Sequence, residues 1–183
     1  MNTKQYTIHA LAVSELGGFT IPIQALRLNN GCGKILITGN VTHAAKEVIY
    51  IAEHILRSNA VMLNNFDIHI HFLHTDKLKD GYSWGVCAYM LLAWIAEILP
   101  YRPNIAATGE IDLFGNIHSV EGLSEKIQVW LETTARDKNK TLLVPHLGTD
   151  IFYQSNQTQL LQVNHVQKIQ ELYGELNHDP IAL

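Results

Sequence analysis

Lys79-Asp80-Gly81-Tyr82-Ser83-Trp84-Gly85 runs directly into Val86-Cys87-Ala88-Tyr89-Met90-Leu91-Leu92-Ala93-Trp94-Ile95-Ala96, and this junction of a glycine-bearing loop with an unbroken apolar run decides the fold. Glu97 and Pro100 stop the run, which leaves it short of the roughly 20 residues that a spanning helix needs. It predicts a buried helix that ends near Leu99. A helix that is apolar on every side must be covered on every side, so the flanking sequence has to supply strands and further helices.

Upstream, Phe19 to Leu28 and Lys34 to Thr38 are β-rich runs on either side of Asn29-Asn30-Gly31, which predicts a hairpin. From Thr42 to Ser58, Ala45, Val48, Ile49, Ala52, Ile55 and Leu56 recur at helical spacing, with Thr42 as N-cap. Asp67 to Phe72 alternates His69 and His71 with Ile68, Ile70 and Phe72, the period of a two-faced strand. A loop follows from Thr75 to Tyr82. Downstream, two short strands flank Phe114-Gly115-Asn116, and Leu123, Ile127, Trp130 and Leu131 mark a helix. Thr141 to Val144 reads as a buried strand, and Val166, Ile169, Leu172, Tyr173 and Leu176 as the stripe of a last helix. This mixed order predicts an α+β fold, and with no repeat or linker one domain spans 1–183.

The 183 residues are 47% hydrophobic and 16% charged, which excludes a disordered chain. At that length no disulfide or metal staple is needed, so Cys32 and Cys87 read as core thiols. A net charge of -4 supplies no footprint for nucleic acid or an anionic membrane surface. The opening MNTKQYTIHALAV has no basic stretch followed by an apolar one, so the expected location is cytoplasmic.

Ser83 lies where unsatisfied N–H groups of a helix start can hold an oxyanion, and two readings stay open: helix cap or nucleophile. A serine nucleophile needs a base, either a histidine or a lysine whose ammonium is desolvated enough to be neutral. Lys126, beside the apolar Ile127 and Trp130, is a candidate for partial burial; the bland alternative is a solvated helix lysine. His69 and His71 share a strand face, but two ligands do not make a zinc site, and no metal or other cofactor is expected. Cys87 lacks an activating partner and reads as core.

Asp80-Gly81-Tyr82-Ser83-Trp84-Gly85, Thr108-Gly109-Glu110-Ile111 and Gly122-Leu123-Ser124-Glu125-Lys126 together resemble the proteolytic domain of Lon proteases, which carries D-G-P-S-A-G, T-G-E-I and G-G-L-K-E-K in this order. The likeness extends to Glu15-Leu16-Gly17-Gly18, Thr38-Gly39, Asp67-Ile68-His69-Ile70-His71, Lys140-Thr141-Leu142-Leu143-Val144-Pro145 and Val166-Gln167-Lys168-Ile169, nearly the whole chain. The resemblance implies the Lon proteolytic fold (ribosomal protein S5 domain 2-like) and a Ser-Lys dyad. Ser83 attacks the peptide carbonyl, Lys126 takes its proton, and Thr108 orients the lysine. Main-chain N–H groups of Gly81, Tyr82 and Ser83 form the oxyanion hole; His69 and Glu110 lie in the matching motifs as supporting residues. It also implies a homo-oligomer, hexameric in the family.

The sequence departs from that pattern in three places: Tyr82 replaces the proline, Trp84 replaces a small residue and Glu121 replaces a glycine. Two aromatic rings beside Ser83 then narrow the cleft or stack on a bound peptide, while Glu121 raises the pKa of Lys126. Gly31-Cys32-Gly33-Lys34 approaches a phosphate-binding loop but fails, because Leu28 stands at the first glycine position and Ile35 at the hydroxyl position. No ATP site is expected, so substrates are peptides or unfolded segments, or a separate ATPase delivers them. The alternative is a catalytically silent Lon-like module for assembly or protein binding. A third reading is a subunit that fires only when a partner orders Lys79 to Gly85.

Overall fold

The computed structural model describes residues 3–74, 76–133, 141–145, 162–166, 168–169 and 171–172. The chain opens with β1 (Lys4–Ser14) and β2 (Gly17–Asn29), followed by β3 (Ile35–Thr38), α1 (His43–Ser58) and β4 (Phe66–Phe72). Then come α2 (Gly85–Ile95), β5 (Ile105–Ala107), β6 (Glu110–Ile111), β7 (Ile117–His118), α3 (Leu123–Thr133), β8 (Thr141–Pro145) and β9 (Gln162–Val166). Seven strands form one sheet in the order β3-β4-β2-β1-β5-β8-β9, and β6 and β7 form a separate antiparallel pair. The fold is α+β with a mixed sheet, as the sequence predicts.

The predicted hairpin between Phe19–Leu28 and Lys34–Thr38 is not formed. β2 pairs instead with β1, from Lys4 opposite Arg27 to Ser14 opposite Gly17. β4 lies between β2 and β3, antiparallel to the first and parallel to the second. The cause is at Asp67, whose Oδ1 accepts from the N–H groups of Cys32 and Lys34, both at 2.9 Å. This carboxylate wraps the Gly31–Lys34 turn around the start of β4. A Cβ on Gly31 would lie 2.1 Å from Asp67 N, so only glycine passes there. The two backbone donors also hold the Asp67 carboxyl below the usual carboxylate range. Cys32 is exposed in this turn, contrary to the expected core thiol.

α1 begins as its sequence dictates: Thr42 Oγ1 accepts from Ala45 N at 3.2 Å and satisfies one orphan donor of the first turn. Its buried stripe is Ala45, Val48, Ile49, Ala52, Ile55 and Leu56. α2 is buried at every residue from Gly85 to Ile95. Alternation along the strands separates two cores. Ile8, Ala10, Ile105, Ala107 and Leu143 pack with α1 and α2, whereas Leu11, Ala106, Leu142 and Val144 pack with Leu123, Ile127 and Trp130 of α3. Helices therefore cover both faces of the sheet. Of the predicted last helix, Val166 belongs to strand β9 instead, Ile169 and Leu172 are buried, and Tyr173 and Leu176 lie outside the described residues.

Trp84 ties the helix start to the rest. Its indole N–H donates to the Ala45 carbonyl (3.0 Å), and its ring meets Phe72 edge-on at 4.8 Å. At 5% exposure it is a core side chain and does not flank the cleft as expected. Trp84→Ala is expected to cost about 3–5 kcal/mol, the loss typical of a large buried aromatic. A lower urea midpoint at unchanged m-value checks this.

Candidate active site

Ser83 stands one residue outside α2, whose N-cap is Trp84 with no side-chain cap hydrogen bond. The N-cap position thus falls on Trp84, one residue after the serine that the sequence offered as cap. Its main chain is pinned: the Ser83 carbonyl accepts from Gly109 N (2.8 Å) and from the Thr108 hydroxyl (3.3 Å). Val86 N returns a bond to the Gly109 carbonyl (3.2 Å), closing a parallel bridge between Trp84 and Gly109. Gly109 has φ +151, and a Cβ there would meet Ile117 at 2.8 Å and Val86 at 2.9 Å. Only glycine brings this backbone so close to the helix start.

Thr108 is fully buried, and its own N–H donates to the Leu143 carbonyl of β8 (3.1 Å). The strand pairing of β5 with β8 thus fixes the threonine that holds Ser83. Among the described residues, the hydroxyl bond of Thr108 goes to Ser83 O. Glu110 opens β6 at an exposed position beside Gly109.

The preceding loop is fastened to the N-terminal end of α1. Lys79 N donates to Asn40 O (2.9 Å) and Lys79 O accepts from Thr42 N (3.0 Å). Thr42 Oγ1 donates to Asp80 Oδ1 (2.7 Å), and this bond, followed by one from Gly81 N–H, holds the Asp80 carboxyl below its ordinary pKa. The buried Lys79 ammonium donates to the carbonyls of His74 and Lys77, the latter at 2.6 Å, and desolvation lowers its pKa. Tyr82 Oη donates to Glu47 Oε2 of α1 at 2.8 Å.

Lys126 sits in the first turns of α3 at 3% exposure. Desolvation pushes its pKa below the ordinary lysine value, and Glu121 opposes that shift in the direction expected from sequence. Among the described residues no hydrogen bond joins Lys126 to Ser83; hydrogen bonds of this kind are commonly loose in the free state of enzymes. Gly122 starts the helix with φ +62 against Val13.

His69 stands apart from this group. The Thr38 hydroxyl lies 2.9 Å from His69 Nε2 and 2.8 Å from His71 Nδ1, so one hydroxyl bridges both rings. His69 thereby touches the end of β3, which leads to the Asn40 and Val41 that pair with Lys79. Among the described residues no group of three metal-capable side chains occurs. Cys87 is fully buried, donates to Ala107 O (3.2 Å), and has its thiol pushed up to about 12 by burial, which leaves it inert. Sequence reasoning missed Glu47 and Thr42 as parts of this site. Glu47 gives no signal, since it reads only as a polar position of an amphipathic helix.

Residues 2–176 match the family model of the Lon protease (S16) C-terminal proteolytic domain, and the chain belongs to that family. It is 29% identical over 174 residues to a Lon protease of Elusimicrobium minutum, covering 90% of this chain and 20% of that protein. Against the Lon protease of Rickettsia prowazekii it is 34% identical over 142 residues, 74% of this chain and 18% of the relative. Against the peroxisomal Lon protease homolog 2 of Caenorhabditis elegans it is 35% identical over 122 residues, 64% of this chain and 16% of the relative. The chain thus spans about a fifth of the length of these relatives. No helix among the described residues is long and apolar enough to cross a membrane.

Lys126 gives a pH signature that can be isolated. Below its folded pKa the buried ammonium is charged in both states, and its desolvation destabilises the fold in full. As pH rises from the folded pKa toward the ordinary value of 10.5, the unfolded state binds more protons, so the penalty fades. Lys126→Met is therefore expected to be more stable than the parent at pH 7, with the advantage shrinking toward pH 10.5. Urea unfolding of both proteins checks the difference, in which the opposite contribution of the raised Cys87 thiol cancels.

Proposed function

We propose that the chain is a serine endopeptidase in which Ser83 is the nucleophile and Lys126 the general base, within one proteolytic domain spanning 1–183. The carrying observation is the burial of Lys126 at 3% exposure with its pKa lowered by desolvation, the environment a lysine needs to act as a neutral amine. In this reading Lys126 removes the Ser83 proton as Oγ attacks the peptide carbonyl, then delivers it to the leaving amine. Thr108 and Gly109 hold the Ser83 backbone against recoil. Because Asp80 engages the Gly81 N–H, the oxyanion falls to the N–H groups of Tyr82 and Ser83. Glu110 and His69 support the site through the segments they occupy.

The substrates proposed are unfolded proteins or peptides. Cleavage proceeds without ATP, or a separate ATPase delivers the substrate; assembly is a homo-oligomer, a hexamer by family likeness, and the location is cytoplasmic.

The test is casein turnover from pH 6 to 10. Activity is expected to rise with pH as Lys126 loses its proton, and Ser83→Ala or Lys126→Ala is expected to lower kcat by about a thousandfold or more. Equal cleavage by Ser83→Ala sinks the assignment, and silence of the folded parent moves the reading to a docking module.

A further inference from the structure

Tyr82 precedes the candidate nucleophile by one residue, yet its side chain turns away from Ser83. Its hydroxyl donates to Glu47 Oε2 at 2.8 Å, and the other oxygen of that carboxylate lies 3.1 Å from His43 Nδ1. Glu47 therefore presents Oε2 to the tyrosine from one turn into α1. The tyrosine hydroxyl is held above its ordinary pKa, chiefly by this hydrogen bond, so it stays protonated and able to donate.

The geometry gives that bond a specific task. Upstream, the loop is fixed to α1 through Lys79, Asp80 and Thr42. Downstream, Ser83 is fixed through its carbonyl to Thr108 and Gly109. Between these anchors Gly81 has φ +81 and open space around its Cβ position, and it is held on its N–H side by the Asp80 carboxylate. Tyr82 is not a proline, and its φ is not limited by a ring. Among the described residues, two contacts hold Tyr82 between the glycine and the nucleophile: its carbonyl accepts from Gly85 N at 3.1 Å, and its side chain is bonded to Glu47.

We infer that Tyr82 and Glu47 are positioning residues: their hydrogen bond, acting with the bond from Gly85 N–H to the Tyr82 carbonyl, fixes the Gly81–Tyr82 peptide plane, and hence the direction of the Tyr82 N–H and the setting of Ser83 next to it. This rests on the assignment of Ser83 as nucleophile for its effect on turnover, whereas the tether itself is independent of it. Both residues lie at the surface, so removing the bond leaves the core intact.

The experiment has two arms on the full chain. In the first, Tyr82→Phe and Glu47→Ala each lower kcat about five- to tenfold with KM and thermal midpoint unchanged, and the double variant is no slower than either. Losses that multiply in the double variant, unchanged kcat, or a loss that follows the thermal midpoint overturn the inference. In the second, both substitutions are placed in Ser83→Ala, which performs no chemistry. Amide exchange at Gly85, Val86 and Gly109, whose N–H groups bond to the Tyr82, Gly109 and Ser83 carbonyls, is expected to quicken in each. Unchanged exchange overturns the tether. If the parent itself shows no turnover, the peptidase assignment fails while the exchange arm still decides for or against the tether.

Discussion

The inward turn of the Trp84 indole is the interaction on which the rest is arranged. An all-apolar helix has no polar face to set its rotation, and α2 has no side-chain cap to fix its start. The indole supplies both. Its N–H reaches the Ala45 carbonyl and its ring meets Phe72, so the helix start is referred to α1 and β4 together. Ser83, one residue earlier, is then forced outward between the bridge to Gly109 and the loop on α1. A small residue at position 84 fills less of this space; here the larger side chain has become core.

Two buried lysines illustrate how burial alone does not define a base. Both have pKa values lowered by desolvation. The Lys79 ammonium, however, donates to the carbonyls of His74 and Lys77, and serves to close the turn that carries them. Lys126 lies among Leu123, Ile127 and Trp130 on a helix whose apolar stripe faces the sheet. The first is a structural cation with its donors in use. The second is buried on an apolar stripe, and desolvation lowers its pKa there.

Elements whose two faces differ were legible in the sequence, as α1, β4 and α3 show in their periodicity; α2, apolar on every side, was legible from its unbroken run. β1 was not, because both its faces are covered: Ile8 and Ala10 pack toward one core and Leu11 toward the other, which erases the alternation. β5 is three residues of Ile and Ala and gives no pattern. The false hairpin followed from a turn sequence that is real but is folded over the Asp67 carboxylate, a contact 33 to 35 residues away that local reasoning cannot supply. The candidate site divides in the same way. Ser83, Thr108 and Lys126 were found through ordered motifs and a buried stripe. Glu47 was not, since its meaning depends on which side chain arrives from a distant loop.

The site is gathered from separated segments, and the order of the chain matters. A chain folded only through α2 possesses Ser83 but neither the Thr108–Gly109 clasp nor Lys126, and Thr108 is itself braced by Leu143 of β8. During synthesis the serine therefore emerges long before its surroundings. A site built this way is braced only once β8 is in place, so the order of the chain delays its completion to a late stage of synthesis.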